Sequence, residues 1–144
     1  MPTRLVLTLV ITTLAAVNVG CWGPTRTSDE DVLILNLEQF DALVDQKNIR
    51  VVLLDVRPTK DYEQSHIPGA LNIPLPDLIA NDPRLAEATQ IVTYDGNWSG
   101  NLSIPAAKRL IFHKYKNVST LRGGMEAWKA DNRPVAGADA DADE

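Results

Sequence analysis

Short apolar runs alternate with segments of helical periodicity along most of this chain, and this alternation constrains the fold more than any other feature. The apolar runs are rich in β-branched residues and bounded by polar ones, which is typical of buried strands. They are Val32–Leu35, Val51–Leu54, Ala70–Ile73, Ile91–Tyr94 and Val118–Leu121. The helical patterns are Leu37–Val44, Pro76–Ala80, Ser103–Tyr115 and Met125–Ala130. The sequence therefore predicts a single α/β domain with a mainly parallel, five-stranded sheet and helices on both faces.

The N-terminus has the layout of an export signal. One positive charge at Arg4 precedes a mostly apolar segment from Leu5 to Val19, and Gly20 then precedes Cys21. A segment of this length suits a signal better than a permanent span, which needs about 20 apolar residues. The small residue before a lone cysteine resembles the lipobox of bacterial lipoproteins, in which the cysteine receives a diacylglycerol and becomes the mature N-terminus. Asn18 departs from this pattern, because leucine is preferred there.

Two interpretations of Cys21 stay open, and they imply different locations. A lipidated Cys21 predicts a membrane-anchored lipoprotein that faces the periplasm or the cell exterior. An ordinary cleaved signal or an uncleaved anchor would instead leave Cys21 as an incidental small apolar residue. Because it is the single cysteine of the chain, the folded domain contains no thiol under the first interpretation, and the chemistry of that domain does not depend on cysteine.

Composition divides the rest of the chain into three parts. Residues 21–31 are rich in Gly, Pro, Thr, Ser and charge, which suits a tether, and residues 32–132 form the predicted domain. Residues 133–144 are predicted to be an acidic, disordered tail, since Ala138–Glu144 alternates alanine with aspartate and ends in glutamate. The formal net charge of −5 argues against nucleic acid as a partner.

Three local motifs follow one another in the predicted domain. The first motif begins at Asp55–Arg57 and continues through a polar stretch to His66–Pro74. The second is the strand-like run Ile91–Tyr94, followed by a loop and a helix that carries Ala106–Leu110. The third is Asn117–Trp128. Together they resemble the rhodanese-like domain, over about residues 30 to 132, and three motifs in the right order are far more specific than one. The resemblance implies an α/β fold and, in active members, sulfur transfer.

Several residues in these motifs are expected to be scaffold rather than site. Asp55 and Arg57 close a strand and are expected to satisfy backbone groups or to pair with each other. His66 precedes a Pro-Gly turn and is expected to be a hydrogen-bonded turn residue. The Gly123-Gly124 pair is expected to turn the chain into the last helix, where Trp128 packs on the sheet. The sequence implies no metal and no cofactor.

The loop after the strand Ile91–Tyr94 is the candidate site. In active members of the resembled family, a cysteine at this point accepts a sulfane sulfur, and the following backbone N–H groups hold the anionic substrate at a helix N-terminus. Asp95 takes the position of that cysteine here, so a persulfide cannot form. Ser103 is the expected N-cap of the helix that follows. The candidate binding loop comprises Asp95, Gly96, Asn97, Trp98, Ser99, Gly100, Asn101 and Leu102.

Three functions remain open for this loop. The leading interpretation is a noncatalytic module that binds a small anionic ligand or an envelope protein, with Trp98 either stacked on the ligand, directed at the partner or folded over its own loop. The second is a sulfurtransferase whose thiol comes from a partner, and the third is a purely structural module in which Asp95 bonds to loop amides. Ser99 and Ser103 lack an evident histidine partner for nucleophilic catalysis.

The N-terminal pattern predicts a specific chemical modification. We expect the mature protein to begin at Cys21, with the mass increased by a diacylglycerol, because its two acyl chains make anchoring durable. Mass spectrometry of the N-terminal peptide from the membrane fraction checks this. A mature N-terminus at another residue, or an unmodified Cys21, would contradict the prediction.

Overall fold

The computed structural model describes residues 32–140. The predicted signal, the lipidation site Cys21 and the tether lie outside the described residues, as do residues 141–144. The strands are β1 (Leu33–Leu35), β2 (Val51–Asp55), β3 (Leu71–Asn72), β4 (Gln90–Tyr94) and β5 (Val118–Leu121). The helices are α1 (Leu37–Val44), α2 (Thr59–Gln64), α3 (Ser103–Phe112) and α4 (Gly124–Ala130), with short 3₁₀ turns at Leu75–Asp77 and Pro83–Leu85. Within residues 32–140, no helix combines the length and the apolarity that a membrane span needs.

The five strands form one parallel sheet in the order β1-β5-β4-β2-β3, which confirms the predicted fold class. The central strand β4 pairs with β2 from Val51 opposite Gln90 to Asp55 opposite Tyr94, and with β5 on its other side. Since all strands run the same way, their carboxyl ends share one edge of the sheet. The loops that follow β2, β4 and β5 therefore meet at this edge.

Successive strand residues feed two separate cores on the two faces of the sheet. Leu54 belongs with Leu110 to the core beneath α3, whereas the neighbouring Leu53 belongs with Phe40 and Trp128 to the core beneath α1 and α4. This follows from the period of two along a strand. Helices on both faces bury most of β4 and all of β5, as the apolar runs of the sequence predict, whereas Leu33 and Ile34 of the edge strand β1 are exposed.

The helical segments differ from the sequence prediction in three places. Helix α2 was not predicted, because it buries no residue and so shows no apolar periodicity. The segment Pro76–Ala80 was predicted to be a helix but is only the 3₁₀ turn at Leu75–Asp77. Helix α3 stops at Phe112 instead of Tyr115, because Lys114 takes a left-handed conformation with φ of 70°.

The prediction of a disordered tail from residue 133 is wrong for residues 133–140. Ala136 forms a two-way backbone bridge with His66, and the amides of Ala138 and Asp139 donate to the carbonyls of Glu63 and Gln64. The Pro134 carbonyl accepts a hydrogen bond of 2.7 Å from the Trp128 indole. Composition misled here because the contacts are made by backbone groups, which every residue carries irrespective of side-chain polarity.

Arg133 ties this C-terminal segment to α1. Its guanidinium donates to both carboxylate oxygens of Asp41, at 2.6 and 2.7 Å, and its carbon lies 4.8 Å from the centre of the Trp128 ring. The hydrogen bond from Arg133 lowers the pKa of Asp41 below its ordinary value of 3.8, against the opposing effect of burial. A carboxyl with a depressed folded-state pKa stabilises the fold above its unfolded pKa, and that stabilisation is lost as the pH falls through the folded value.

Arg133→Gln is therefore expected to flatten the loss of stability on acidification below about pH 4. The reason is that the pKa of Asp41 returns toward its unfolded value, so its contribution to the pH dependence disappears. Urea unfolding at a series of pH values measures this. Arg50→Gln is the matched control, because Arg50 pairs with Glu87 where both side chains are mostly exposed. Parallel pH dependences for Arg133→Gln and the unmodified chain would contradict the prediction.

Candidate functional site

The candidate site lies where β4 ends, at the shared carboxyl edge of the sheet. Asp95 follows the last residue of β4 directly and is buried, with 2% of its surface exposed. The loop Asp95–Leu102 then leads into α3, whereas the chain after β5 turns straight into α4. Two helices thus begin beside Asp95, and each brings backbone N–H groups that have no partner within the helix.

The Asp95 carboxylate accepts hydrogen bonds from the amides of its own loop. Oδ2 accepts from the backbone N–H groups of Leu102 and Ser103, at 2.9 and 3.0 Å, and Oδ1 accepts from that of Asn97 at 3.4 Å. A carboxylate at this position satisfies free N–H groups of α3 and interacts favourably with the positive end of the helix dipole. The amides of Asn97, Leu102 and Ser103 are therefore bonded to a side chain of the protein itself.

Ser103 is not the N-cap that the sequence predicts. It is the first residue of α3, Leu102 occupies the cap position without a side-chain hydrogen bond, and the capping oxygen comes from Asp95. An acceptor that caps a helix from the end of the preceding strand leaves no local sequence signature. The usual signature places the acceptor at the cap residue itself.

The main chain of Asp95 holds the second helix. Its carbonyl accepts from the Met125 amide at 2.9 Å, and the Gly96 carbonyl accepts from the Glu126 amide at 3.1 Å. Gly124 has φ of 48°, and a Cβ atom there would lie 2.0 Å from the Asp95 carbonyl oxygen. Only glycine permits this approach. The second glycine of the Gly-Gly pair therefore serves the contact between α4 and the loop as well as the turn.

An ion pair supports the site from the end of β2. The Arg57 guanidinium donates to both oxygens of the fully buried Asp55 carboxylate and, at 2.7 Å, to the Ser65 carbonyl. Burial alone would lower the pKa of Arg57, but the hydrogen bonds and charge of Asp55 outweigh it and raise the pKa above its ordinary value. Asn72 donates to the carbonyls of Asp55 and Arg57. Asp55 and Arg57 thus pair with each other, which is one of the two scaffold roles that the sequence left open.

Tyr94 joins this ion pair to the loop, a role that the sequence did not indicate. The tyrosine is fully buried at the end of β4, its hydroxyl accepts from the Ile67 amide at 3.2 Å, and the Arg57 guanidinium carbon lies 5.9 Å from the ring centre. Burial, with the nearby Asp55 carboxylate, raises the pKa of Tyr94 far above its ordinary range. The Tyr94 hydroxyl therefore stays neutral and provides a buried hydrogen-bond acceptor for the Ile67 amide.

His66 has the structural role that its turn predicts. Its Nδ1 lies 2.8 Å from the Tyr62 carbonyl oxygen, and its ring stacks on the Tyr62 ring with centres 3.8 Å apart. Among residues 32–140, no group of three His, Cys, Asp or Glu side chains is placed to hold a metal ion.

The outer face of the loop, which carries Trp98, is exposed to solvent, whereas the inner face, where Asp95 lies, is buried. Trp98 keeps 56% of its surface exposed and lies against Gly123, where an added Cβ would come within 2.9 Å of the indole. Asn97 shapes the loop by accepting from the Ser99 amide and hydroxyl. Two cavities flank the indole, of about 390 and 260 Å³, and both are lined by Trp98 and Arg122. The tryptophan thus covers the start of α4 and still offers surface.

Arg122 is a residue that the sequence did not single out. It follows the last residue of β5 and is exposed, and its guanidinium makes no ion pair within the described part of the chain. The signal that could have found it is its position, because the residue after a parallel strand lies at the same edge as Asp95. The inner face of the site therefore holds a carboxylate bonded to amides, and Arg122 on the rim makes no ion pair within residues 32–140.

Comparison with known proteins agrees with this architecture. The model of the family "Rhodanese-like domain" matches residues 36–131, so the chain belongs to the rhodanese-like family. It is 29% identical to "Thiosulfate:glutathione sulfurtransferase" of Saccharomyces cerevisiae over 76% of this chain and 89% of that protein. It is 31% identical to "Thiosulfate sulfurtransferase GlpE" of Coxiella burnetii over 67% of this chain and 86% of that protein.

Other relatives are longer proteins. The chain is 29% identical to "Adenylyltransferase and sulfurtransferase UBA4" of Candida albicans over 77% of its own residues but spans only 26% of that protein. Among solved structures, the BH2092 protein of Bacillus halodurans superimposes with a TM-score of 0.64 at 24% identity, covering 74% of this chain and 78% of the other. This structural likeness supports the fold.

Asp95→Ala is expected to lower the free energy of unfolding by about 2 kcal/mol, because it leaves buried amides of α3 without an acceptor. Asp95→Asn keeps one acceptor oxygen and is expected to lose less. Urea denaturation measures both changes. Asp45→Ala is the control, since Asp45 is exposed and its contacts within residues 32–140 involve only its backbone. An effect of Asp95→Ala within about 0.5 kcal/mol of this control would contradict the capping role.

Proposed function

We propose that this chain is a noncatalytic rhodanese-like domain that works as a binding module at the cell envelope. One observation carries the proposal: the Asp95 carboxylate itself accepts the hydrogen bonds of the Asn97, Leu102 and Ser103 amides. The relatives named above are sulfurtransferases. Under this proposal the chain shares the fold of these relatives but lacks their activity.

Two physical arguments support the absence of sulfur transfer. A carboxylate has no sulfur atom that could form a persulfide with the sulfane sulfur of a donor. Its negative charge also repels an incoming anion from amides that are already in use, and burial strengthens that repulsion because little water screens it. A thiol supplied by another molecule would meet the same occupied amides, which argues against the second candidate function.

The outer face of the loop favours binding over a purely structural role. A tryptophan that served packing alone would gain most by full burial, whereas Trp98 leaves more than half of its surface in solvent. Exposed aromatic side chains beside an unpaired arginine are enriched where proteins bind partners or ligands. The envelope location rests on the N-terminal pattern alone.

The test of inactivity is transfer of sulfur from thiosulfate to cyanide by the full chain. Cys21→Ser serves as the background, so that no other thiol contributes. In this background we expect no transfer above the uncatalysed rate, and we expect Asp95→Cys to raise the rate at least about tenfold, which is about 1.4 kcal/mol of transition-state stabilisation. The added thiol would sit at the start of α3, where the freed amides favour a thiolate.

Asp95→Ser is the matched control, because it removes the carboxylate without adding a thiol. It is expected to stay inactive, as is the Cys21→Ser background when reduced glutathione is added as an external thiol. Transfer by Cys21→Ser alone would overturn the proposal of a noncatalytic domain. Inactivity of Asp95→Cys would show instead that the loop no longer forms an anion site even without the carboxylate.

A further inference from the structure

The smaller of the two cavities beside Trp98 has the chemistry of a ligand site. It has a volume of about 260 Å³ and lies between the end of β1, the start of α3 and the chain after β5. Its walls offer apolar and polar surface in about equal parts and include no acidic side chain; they are formed by Ile34, Trp98, Ile104, Leu121 and Arg122, together with Gly100, Ser103, Thr120 and Gly123. A concave cavity that combines apolar surface with a few polar groups can hold a small molecule.

Arg122 gives this cavity its charge preference. Its guanidinium is exposed and forms no ion pair within residues 32–140, although the chain as a whole carries an excess of acidic residues. The guanidinium offers several N–H donors in a planar arrangement that matches a carboxylate. An unpaired cation in a cavity without carboxylates attracts an anion.

A second polar group, the Ser103 hydroxyl, belongs to a residue that lines the same cavity. Ser103 is 2% exposed, and its hydroxyl has no hydrogen-bond partner among the described residues, whereas its amide and carbonyl are both bonded. The hydroxyl oxygen lies beside Gly100, where an added Cβ would come within 3.5 Å of it. A hydroxyl without a partner in the protein can donate to an oxygen of a bound ligand.

The larger cavity on the other side of Trp98 is less suited to an anion. It contains Glu38, Asp41 and Asp131, and its second arginine, Arg133, is already bonded to Asp41 and Asp131. The two cavities share Trp98 and Arg122, but only the smaller one is free of acidic side chains. The absence of acidic side chains therefore makes the smaller cavity the better site for an anion.

We propose that the smaller cavity binds a small carboxylic acid with an apolar, preferably aromatic, body. The carboxylate would pair with Arg122 and accept from the Ser103 hydroxyl, and the apolar body would lie against Trp98 and the isoleucines. The volume is below the about 300 Å³ at which sites for drug-sized ligands begin, so the ligand is about the size of one aromatic side chain. This inference rests on the proposed binding function and names the ligand class for it.

Binding of phenylacetate to the full chain tests the proposal, with phenylacetamide and acetate as the matched compounds. Heteronuclear NMR titration follows the indole N–H of Trp98 and the amides of Gly100 and Arg122. We expect phenylacetate to shift these signals and to bind at least about tenfold more tightly than phenylacetamide, which lacks the charge, or acetate, which lacks the ring.

Two variants locate the site. Arg122→Gln is expected to weaken phenylacetate binding about tenfold and to abolish the preference over phenylacetamide. Trp98→Ala is expected to weaken phenylacetate more than acetate, and Arg50→Gln, an exposed arginine elsewhere, is expected to leave binding unchanged. Circular dichroism confirms that each variant is folded. Equal binding of phenylacetate and phenylacetamide, unchanged binding by Arg122→Gln, or no binding of phenylacetate would overturn the proposal.

The same protein sample is assayed for sulfur transfer, so that failure of the two proposals can be told apart. Absence of phenylacetate binding together with absence of sulfur transfer would reject the ligand class and leave the noncatalytic role intact. Sulfur transfer by the Cys21→Ser background would reject the noncatalytic role whatever binds in the cavity.

Discussion

The buried carboxylate of Asp95 and its neighbouring carbonyl hold together the end of the sheet on which the candidate site is built. Parallel strands bring the starts of α3 and α4 to one edge, and each helix arrives with backbone N–H groups that need acceptors. The Asp95 carboxylate accepts hydrogen bonds from amides at the start of α3, and the Asp95 carbonyl accepts one from the Met125 amide of α4. One residue therefore meets two requirements that the topology creates, and the close packing of Gly124 against it follows.

This arrangement shows how the rhodanese-like fold accommodates a buried carboxylate at the end of its central strand. The amides of Asn97, Leu102 and Ser103 donate to that carboxylate, so the charge they meet belongs to the chain itself. Removing that carboxylate would leave unbonded amides in the interior, so the contact also stabilises the fold. Under the proposed function, recognition of a ligand falls to the rim, where Trp98 and Arg122 are exposed.

The accuracy of the sequence prediction varies with how local the responsible interactions are. Helix α1 begins and ends where the sequence predicts, since Asn36 and Gln39 form a capping box and Phe40 provides its buried contact. Helix α2 escaped prediction because its residues are nearly all polar and it begins after Pro58. The ordered residues 133–140 were missed because they are held by Arg133 and by backbone pairing with distant residues.

The sequence by itself determined the parallel α/β fold and the rhodanese-like family, because strand runs, helical periods and motifs are written in consecutive side chains. Only the tertiary structure decided where the Asp95 carboxylate is bonded, which face of Trp98 stays in solvent and that Arg122 has no partner in the described chain. These properties depend on backbone amides and on elements far apart in the sequence. Such groups carry no local side-chain pattern that could be read before the chain is folded.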